Sequence, residues 1–241
     1  STTSNAQADG IYCSRDAGAT WKRVLAASYF RDLAENQYFV FMDARASGSA
    51  TILAVTHNSD VSTLLIRSTD GGETWAPYGG VGGPTEGRPR ALVRHAVTGT
   101  LWLAGTFGVY RSDDAGATWT KKLSVPVSGF ALHPTNASVV YAGPDSGGLL
   151  RSDDGGATWN AKNKGLPTVS GGGCCVFTVL SRGPKTLFAA PDSWGGGIPC
   201  SLDDGETWSI HSFDTNFYEG RYFGEPVLAH WTQTFMPAAA G

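Results

Sequence analysis

The chain has 241 residues, with 18 Lys and Arg against 21 Asp and Glu, for a net charge near −3 at pH 7. No basic run or stripe marks a nucleic-acid surface, and no apolar run approaches the roughly 18 residues that a membrane-spanning helix needs. Charged residues make up only 16% while Gly numbers 32 and Trp 8, a balance that fits short strands joined by tight turns rather than amphipathic helices.

Taken in chain order, the first predicted element is an apolar strand at "GIYC" (10–13), followed by the turn phrase "SRDAGATW" (14–21) and a polar strand "KRV" (22–24). Next come "YFVFMDA" (38–44), "TILAVTH" (51–57) and "TLLIR" (63–67), then the phrase again as "STDGGETW" (68–75), then "APY" (76–78). The same order returns as "RALVRHA", "TLWLAGT", "GVYR", "SDDAGATW" from Ser112 and "TKK". It returns again as "SGFALHP", "SVVYAGP", "GLLR", "SDDGGATW" from Ser152 and "NAK". A last round reads "CVFTVLS", "TLFAAPD", "GIPC", "SLDDGETW" from Ser201 and "SIH", after which "EPVLAHW" and "TFMPAAAG" read as a first and a second strand.

The five phrases stand 54, 44, 40 and 49 residues apart, and counting from the last through the termini to the first gives another 54. A repeat of this length, made of three apolar strands and one polar outer strand, is a propeller blade. The prediction is therefore an all-β, five-bladed β-propeller with four-stranded antiparallel blades, forming one domain over residues 1–241. The N-terminal pair of strands and the C-terminal pair share the closing blade, which removes exposed sheet edges.

In the phrase Ser-x-Asp-x-Gly-x-Thr-Trp, the Ser and Asp side chains can accept bonds from N–H groups of their own turn. The Gly can take a positive φ at no steric cost, and the Trp offers a large apolar face between blades. Every residue type has a structural task, so Asp16, Asp70, Asp114, Asp154 and Asp203 are assigned to the frame. On these phrases the chain resembles the Asp-box (BNR) repeat proteins, which include sialidases, xyloglucan-active endoglucanases, sortilin-type receptors and photosystem assembly factors. "GFALHPTNASVVYAG" followed by "GGLLRSDDGGATW" is especially similar to the generic repeat. The resemblance implies that the ligand site lies on the face opposite the boxes. The same box occurs in enzymes, receptors and scaffolds, so it speaks to fold and not to activity.

The loops of the box-free face do not repeat. "YFRDLAENQY" (29–38), "GGPTEGRPR" (82–90) and "SFDTNFYEGRYFGEP" (212–226) concentrate arginines, carboxylates and aromatics, and "THNSD" (56–60) and "APDSWGGG" (190–197) join them. A non-repeating rim on a repeating frame points to a single asymmetric site. Flat rings stack on apolar faces of sugars while carboxylates and amides bind hydroxyls, so the expected partner is a carbohydrate or glycoconjugate. Glycoside hydrolysis uses two carboxyl groups on opposite sides of the bond. Asp32, Asp192 and Glu219 are the candidate catalytic residues, chosen from a pool that also holds Glu35, Asp60, Glu86, Asp145, Asp214 and Glu225. Candidate substrate-binding residues are Arg31, Tyr38, His57, Glu86, Arg90, Trp194, Asp214, Tyr218, Arg221 and Tyr222. A lectin without catalysis and a protein-interaction scaffold are the rival readings. His95 and His133 end equivalent first strands and so belong to the frame.

The cysteines are Cys13, Cys174, Cys175 and Cys200, a spacing that fits no tetrahedral zinc pattern. No metal or other cofactor is implied. Cys174 and Cys175 form a candidate vicinal disulfide beside three glycines; pairing of one of them with Cys13 or Cys200, or a reduced pair, are the alternatives. The even count, the sequon Asn136-Ala137-Ser138 and the small, polar start "STTSNAQADG" favour a secreted monomer with no nucleic-acid or membrane partner.

Overall fold

The computed structural model describes residues 10–26, 38–42, 51–57, 63–166, 168–169, 172–173, 176–181, 185–191 and 198–211. Every regular element among them is a strand, and all the strands pair antiparallel. The chain divides into two compact units, Ser1–Ser124 and Val125–Gly241.

In the first unit, β1 (Gly10–Cys13) and β2 (Lys22–Ala26) form a two-stranded sheet. A second sheet has the order β3 (Tyr38–Met42), β4 (Ile52–His57), β5 (Thr63–Ser68) and β6 (Ala76–Pro77). A third has the order β7 (Pro89–Arg94), β8 (Leu101–Gly105), β9 (Gly108–Ser112) and β10 (Thr120–Leu123). In the second unit the fourth sheet runs β11 (Val127–Leu132), β12 (Val140–Pro144), β13 (Leu150–Ser152) and β14 (Asn160–Ala161). A short ribbon follows, β15 (Thr168–Val169) with β16 (Gly172–Gly173). The fifth sheet has β17 (Val176–Ser181), β18 (Leu187–Pro191), β19 (Ile198–Ser201) and β20 (Ser209–His211). Each of the four larger sheets is a simple meander, with the turn phrase as the hairpin between its third and fourth strands.

The ribbon is a departure from the sequence, which reads "GLPTVSGGGCC" as an inter-blade loop; two residues on each side are too few to show a period-2 pattern.

Burial follows strand position. The second strands β8 and β12 are buried at every residue, as expected of a strand with a packed sheet on either face. The outer strands β6 and β14 are exposed throughout, which is why the sequence is polar there. Within each unit, a seam between sheets holds one cluster and one phrase tryptophan. Ile11, Leu25, Ala54 and Ile66 pack with Trp75 between the first and second sheets. Leu53, Leu65, Leu92 and Leu101 pack with Trp119 between the second and third. Tyr141, Leu149 and Leu187 pack with Trp208 between the fourth and fifth. Trp21, whose sheet has no preceding sheet among the described residues, is 63% exposed, whereas Trp119 is 6% exposed.

The chain leaving an outer strand latches onto the next sheet. Gly80 and Val81 donate to Gly116 O and Ala117 O, both at 3.3 Å, and Trp119 N donates to Val81 O at 2.8 Å. The fifth sheet repeats the pattern, with Trp208 N donating to Lys164 O at 2.9 Å. Gly82 and Gly165 take positive φ there (74° and 91°), and a Cβ on either would stand 2.6 or 2.2 Å from the tryptophan carbonyl. Only glycine fits so close an approach. The start of "GGPTEGRPR", expected on the box-free face, therefore lies against the next box, because these backbone bonds hold it there.

Two seams also carry charge. Glu73 accepts from Arg15 at 2.8 Å and from Lys22 at 3.2 Å, both on the first sheet's hairpin. Between the fourth and fifth sheets, Arg151 meets Asp204 at 3.0 Å, and Lys162 meets Glu206 at 2.5 Å. The Tyr141 hydroxyl donates to Asp204 as well.

Candidate functional site

The repeated phrase has one geometry in all five copies. The Ser Oγ donates to the Asp Oδ1 at 2.7–2.9 Å and accepts from the Gly N at 2.7–2.8 Å. The same Oδ1 accepts from the Thr N at 2.8–2.9 Å. The Thr hydroxyl donates to Oδ2 at 2.5–2.6 Å. Both oxygens of each carboxylate are thus engaged within the hairpin. The threonine bonds, foremost among the causes, hold Asp16, Asp154 and Asp203 at about 2, below the usual 3.8. They lower Asp70 and Asp114 as well. A carboxylate held this way is ionised and saturated at neutral pH, so it serves the turn and not proton transfer.

The first-strand turns lie at the same end. Nδ1 of His95 accepts from Val97 N (3.3 Å) and Thr98 N (3.4 Å), and Nδ1 of His133 accepts from Thr135 N (3.2 Å) and Asn136 N (2.9 Å). Both rings are buried and lock the turn, the frame role expected from their repeated position. Among the described residues no group of His, Cys, Asp and Glu is arranged to hold a metal ion. The two described cysteines, Cys13 and Cys200, are free thiols.

The opposite ends of the sheets differ from one another. In the second sheet Tyr38 pairs with His57, and His57 with Thr63. In the third, Thr106 Oγ1 accepts from Arg88 N at 2.7 Å, and Thr106 N donates to Arg88 O at 3.0 Å. Glu86 is exposed two residues before this knot, and Arg90 is half-buried two residues after it. Because β3 packs beside β7, Tyr38, His57, Glu86 and Arg90 stand at the box-free ends of neighbouring sheets. In the fourth sheet Ser128 donates to Asp145, whose N–H donates to Pro126 O at 3.0 Å. Arg31, Asp32, Asp192, Trp194, Asp214, Tyr218, Glu219, Arg221, Tyr222, Cys174 and Cys175 lie outside the described residues, as do Glu35, Asp60 and Glu225.

The structure adds a feature that sequence reasoning missed. A groove of about 270 Å³ opens between the second and third sheets, floored by Val55, Leu65, Leu103 and Trp119. Tyr78, Gly83 and Pro84 rim it, and the Arg67 guanidinium lies 3.8 Å from the Tyr78 ring centroid. The signal was present only as a missing side chain at Gly83.

The fold is an all-β arrangement of four-stranded antiparallel sheets, and its solved neighbours are β-propellers. Residues 66–77 match the family model for the BNR/Asp-box repeat, and the same hydrogen bonds recur in all five copies of the phrase. No curated protein matches the chain by sequence. A GH74 enzyme from Niastella koreensis is similar in structure at TM-score 0.60 and 18% identity, over 83% of this chain and 34% of that one. YCF48 from Cyanidioschyzon merolae is similar at TM-score 0.55 and 17% identity, over 83% of this chain and 65% of that one. An ancestral GH74 enzyme gives 0.54 and 16%, over 75% and 24%. The chain thus spans about a third of the first enzyme's length, and at these identities the likeness is one of fold.

Proposed function

We propose that the protein is a secreted, glycoside hydrolase-like propeller that acts on carbohydrate as a monomer, at one asymmetric site opposite the boxes. The observation that carries this reading is the contrast between the two ends of the sheets. The box ends repeat the same bonds five times, while the described box-free ends of the third and fourth sheets share a backbone bond but carry different side-chain bonds. Binding groups that repeated with the frame would favour a multivalent lectin. The fold likeness to GH74 enzymes supports a carbohydrate-directed role.

On this reading two of Asp32, Asp192 and Glu219 supply the carboxyl groups, one giving a proton to the leaving oxygen and the other attacking or activating water. Arg31, Tyr38, His57, Glu86, Arg90, Trp194, Asp214, Tyr218, Arg221 and Tyr222 bind the sugar. The fold reading completes the ring as five blades of one domain, with residues 225–241 supplying the two strands that β1 and β2 lack. A panel of chromogenic glycosides run beside a glycan array tests the activity. Turnover is expected, and Asp32→Asn, Asp192→Asn or Glu219→Gln should cut kcat at least about a hundredfold at the two positions that act. Binding without turnover would make the protein a lectin. The fold likeness to YCF48, at a comparable TM-score, favours a scaffold as the second reading, and failure of both assays would select it.

A further inference from the structure

The groove between the second and third sheets has a filled counterpart in the same chain. Trp119 N donates to Val81 O and Trp208 N to Lys164 O, so Val81 corresponds to Lys164, Gly82 to Gly165 and Gly83 to Leu166. Proline follows in both stretches, as Pro84 and Pro167. Leu166 packs onto the cluster that contains Trp208. At Gly83 there is no side chain, and a Cβ placed there would stand 3.0 Å from Gly80 O and 3.3 Å from Trp119 Cδ1. One seam is therefore plugged by its own leucine, and the other has the seat without the plug.

The floor beneath the empty seat is itself enlarged. The ladders place Val55 where the fourth sheet has Gly143, and Leu103 where the fifth has Ala189. These larger side chains fill the lower part of the space with aliphatic surface and leave about 270 Å³ above it. A floor of three aliphatic side chains beside the Trp119 ring rewards a branched apolar group and offers the hydroxyls of a sugar ring few partners. Side-chain hydroxyls stand on the rim, at Tyr78 and Thr85, and the Trp119 indole N–H is taken by Gly116 O.

We propose that this seam is a receptor for a leucine side chain presented by an extended peptide of a partner protein, seated as Leu166 is seated in the second unit. The site is separate from the carbohydrate site and does not depend on it. The peptide's backbone would lie along the rim at Gly80, where an added Cβ would meet no atom closer than 3.9 Å, as an extended segment laid on a sheet edge does.

The test uses the whole protein and a synthetic peptide with the sequence of residues 160–167, NAKNKGLP, followed by NMR. Saturable shifts of the Trp119 indole N–H and of the Leu65 and Leu103 methyls are expected. Replacing the peptide's leucine by alanine should weaken binding at least tenfold, and Gly83→Leu, which fills the seat in cis, should abolish it. The peptide variant keeps the test valid if Gly83→Leu does not fold. No shift, shifts indifferent to the leucine, or shifts produced by cellobiose and not by the peptide would each overturn the proposal.

Discussion

At each box the residue between Asp and Gly takes a left-handed conformation, with φ of 55° at Ala17, 58° at Ala115 and 63° at Asp204. The second and fourth boxes use Gly71 and Gly155 there. An L-residue in this region costs about 1–2 kcal/mol, and glycine forfeits about 0.5–1 kcal/mol of chain entropy in exchange. Ala17→Gly and Ala115→Gly should each stabilise by about 0.5 kcal/mol, read as a higher urea midpoint at unchanged slope. Gly116→Ala should do the reverse, since its φ is 92° and Leu53, Leu65 and Leu101 surround the added methyl at 3.3–3.5 Å. The box carboxylates set the acid limit. Their folded pKa values lie below the unfolded one, so the unfolded chain binds more protons and their contribution is present above about pH 4. It is lost as pH falls towards about 2. Acid titration followed by tryptophan fluorescence should show unfolding in that window. Thr158→Val, which removes the largest stabiliser of the Asp154 charge, should move it to higher pH.

At the scale of the strand and its turn, sequence and structure agree closely. All four complete sheets follow the predicted order, since apolar second strands, polar outer strands and Gly-containing turns each leave a local mark. The latch of Gly80–Gly82 on the next box was not legible, because it is made of backbone bonds between residues far apart in the chain. The groove was hidden for a related reason: Gly83 matters through the side chain it lacks. Part of the expected rim, Glu86 and Arg90 with the strand ends at Tyr38 and His57, can be placed by strand register, whereas the catalytic candidates lie outside the described residues. The two charged seams should differ in strength. The Arg151 side chain is 14% exposed and Asp204 19%, against 64% for Arg15 and 34% for Glu73. Arg151→Ala should cost about 2 kcal/mol and resist salt, leaving Asp204 without its cation. Glu73→Ala should have little effect, and what effect it has should vanish at high ionic strength. Urea unfolding at low and high salt separates the two.

At the scale of the whole molecule, the proposed closure of five blades makes a prediction about local stability. β1 and β2 form a sheet of only two strands among the described residues, and an isolated ribbon is marginal in water. Deleting residues 225–241 should lower hydrogen-exchange protection at Ile11 and Leu25 first and leave Leu92 and Tyr141 protected. Equal loss at all four positions would instead mean a single cooperative unit, and no loss would remove the closing blade.

A protein assembled from near-copies must also keep each copy beside its proper neighbour, since wrong pairing is a characteristic failure of repeat chains. The two boxes that read "GETW" carry Glu73 and Glu206, and each meets basic groups on the sheet before it. The boxes reading "GATW" carry alanine at that position and offer such cations no partner there. The Glu or Ala at this one position thus separates two classes of hairpin, those that carry an ion pair to the preceding sheet and those that do not.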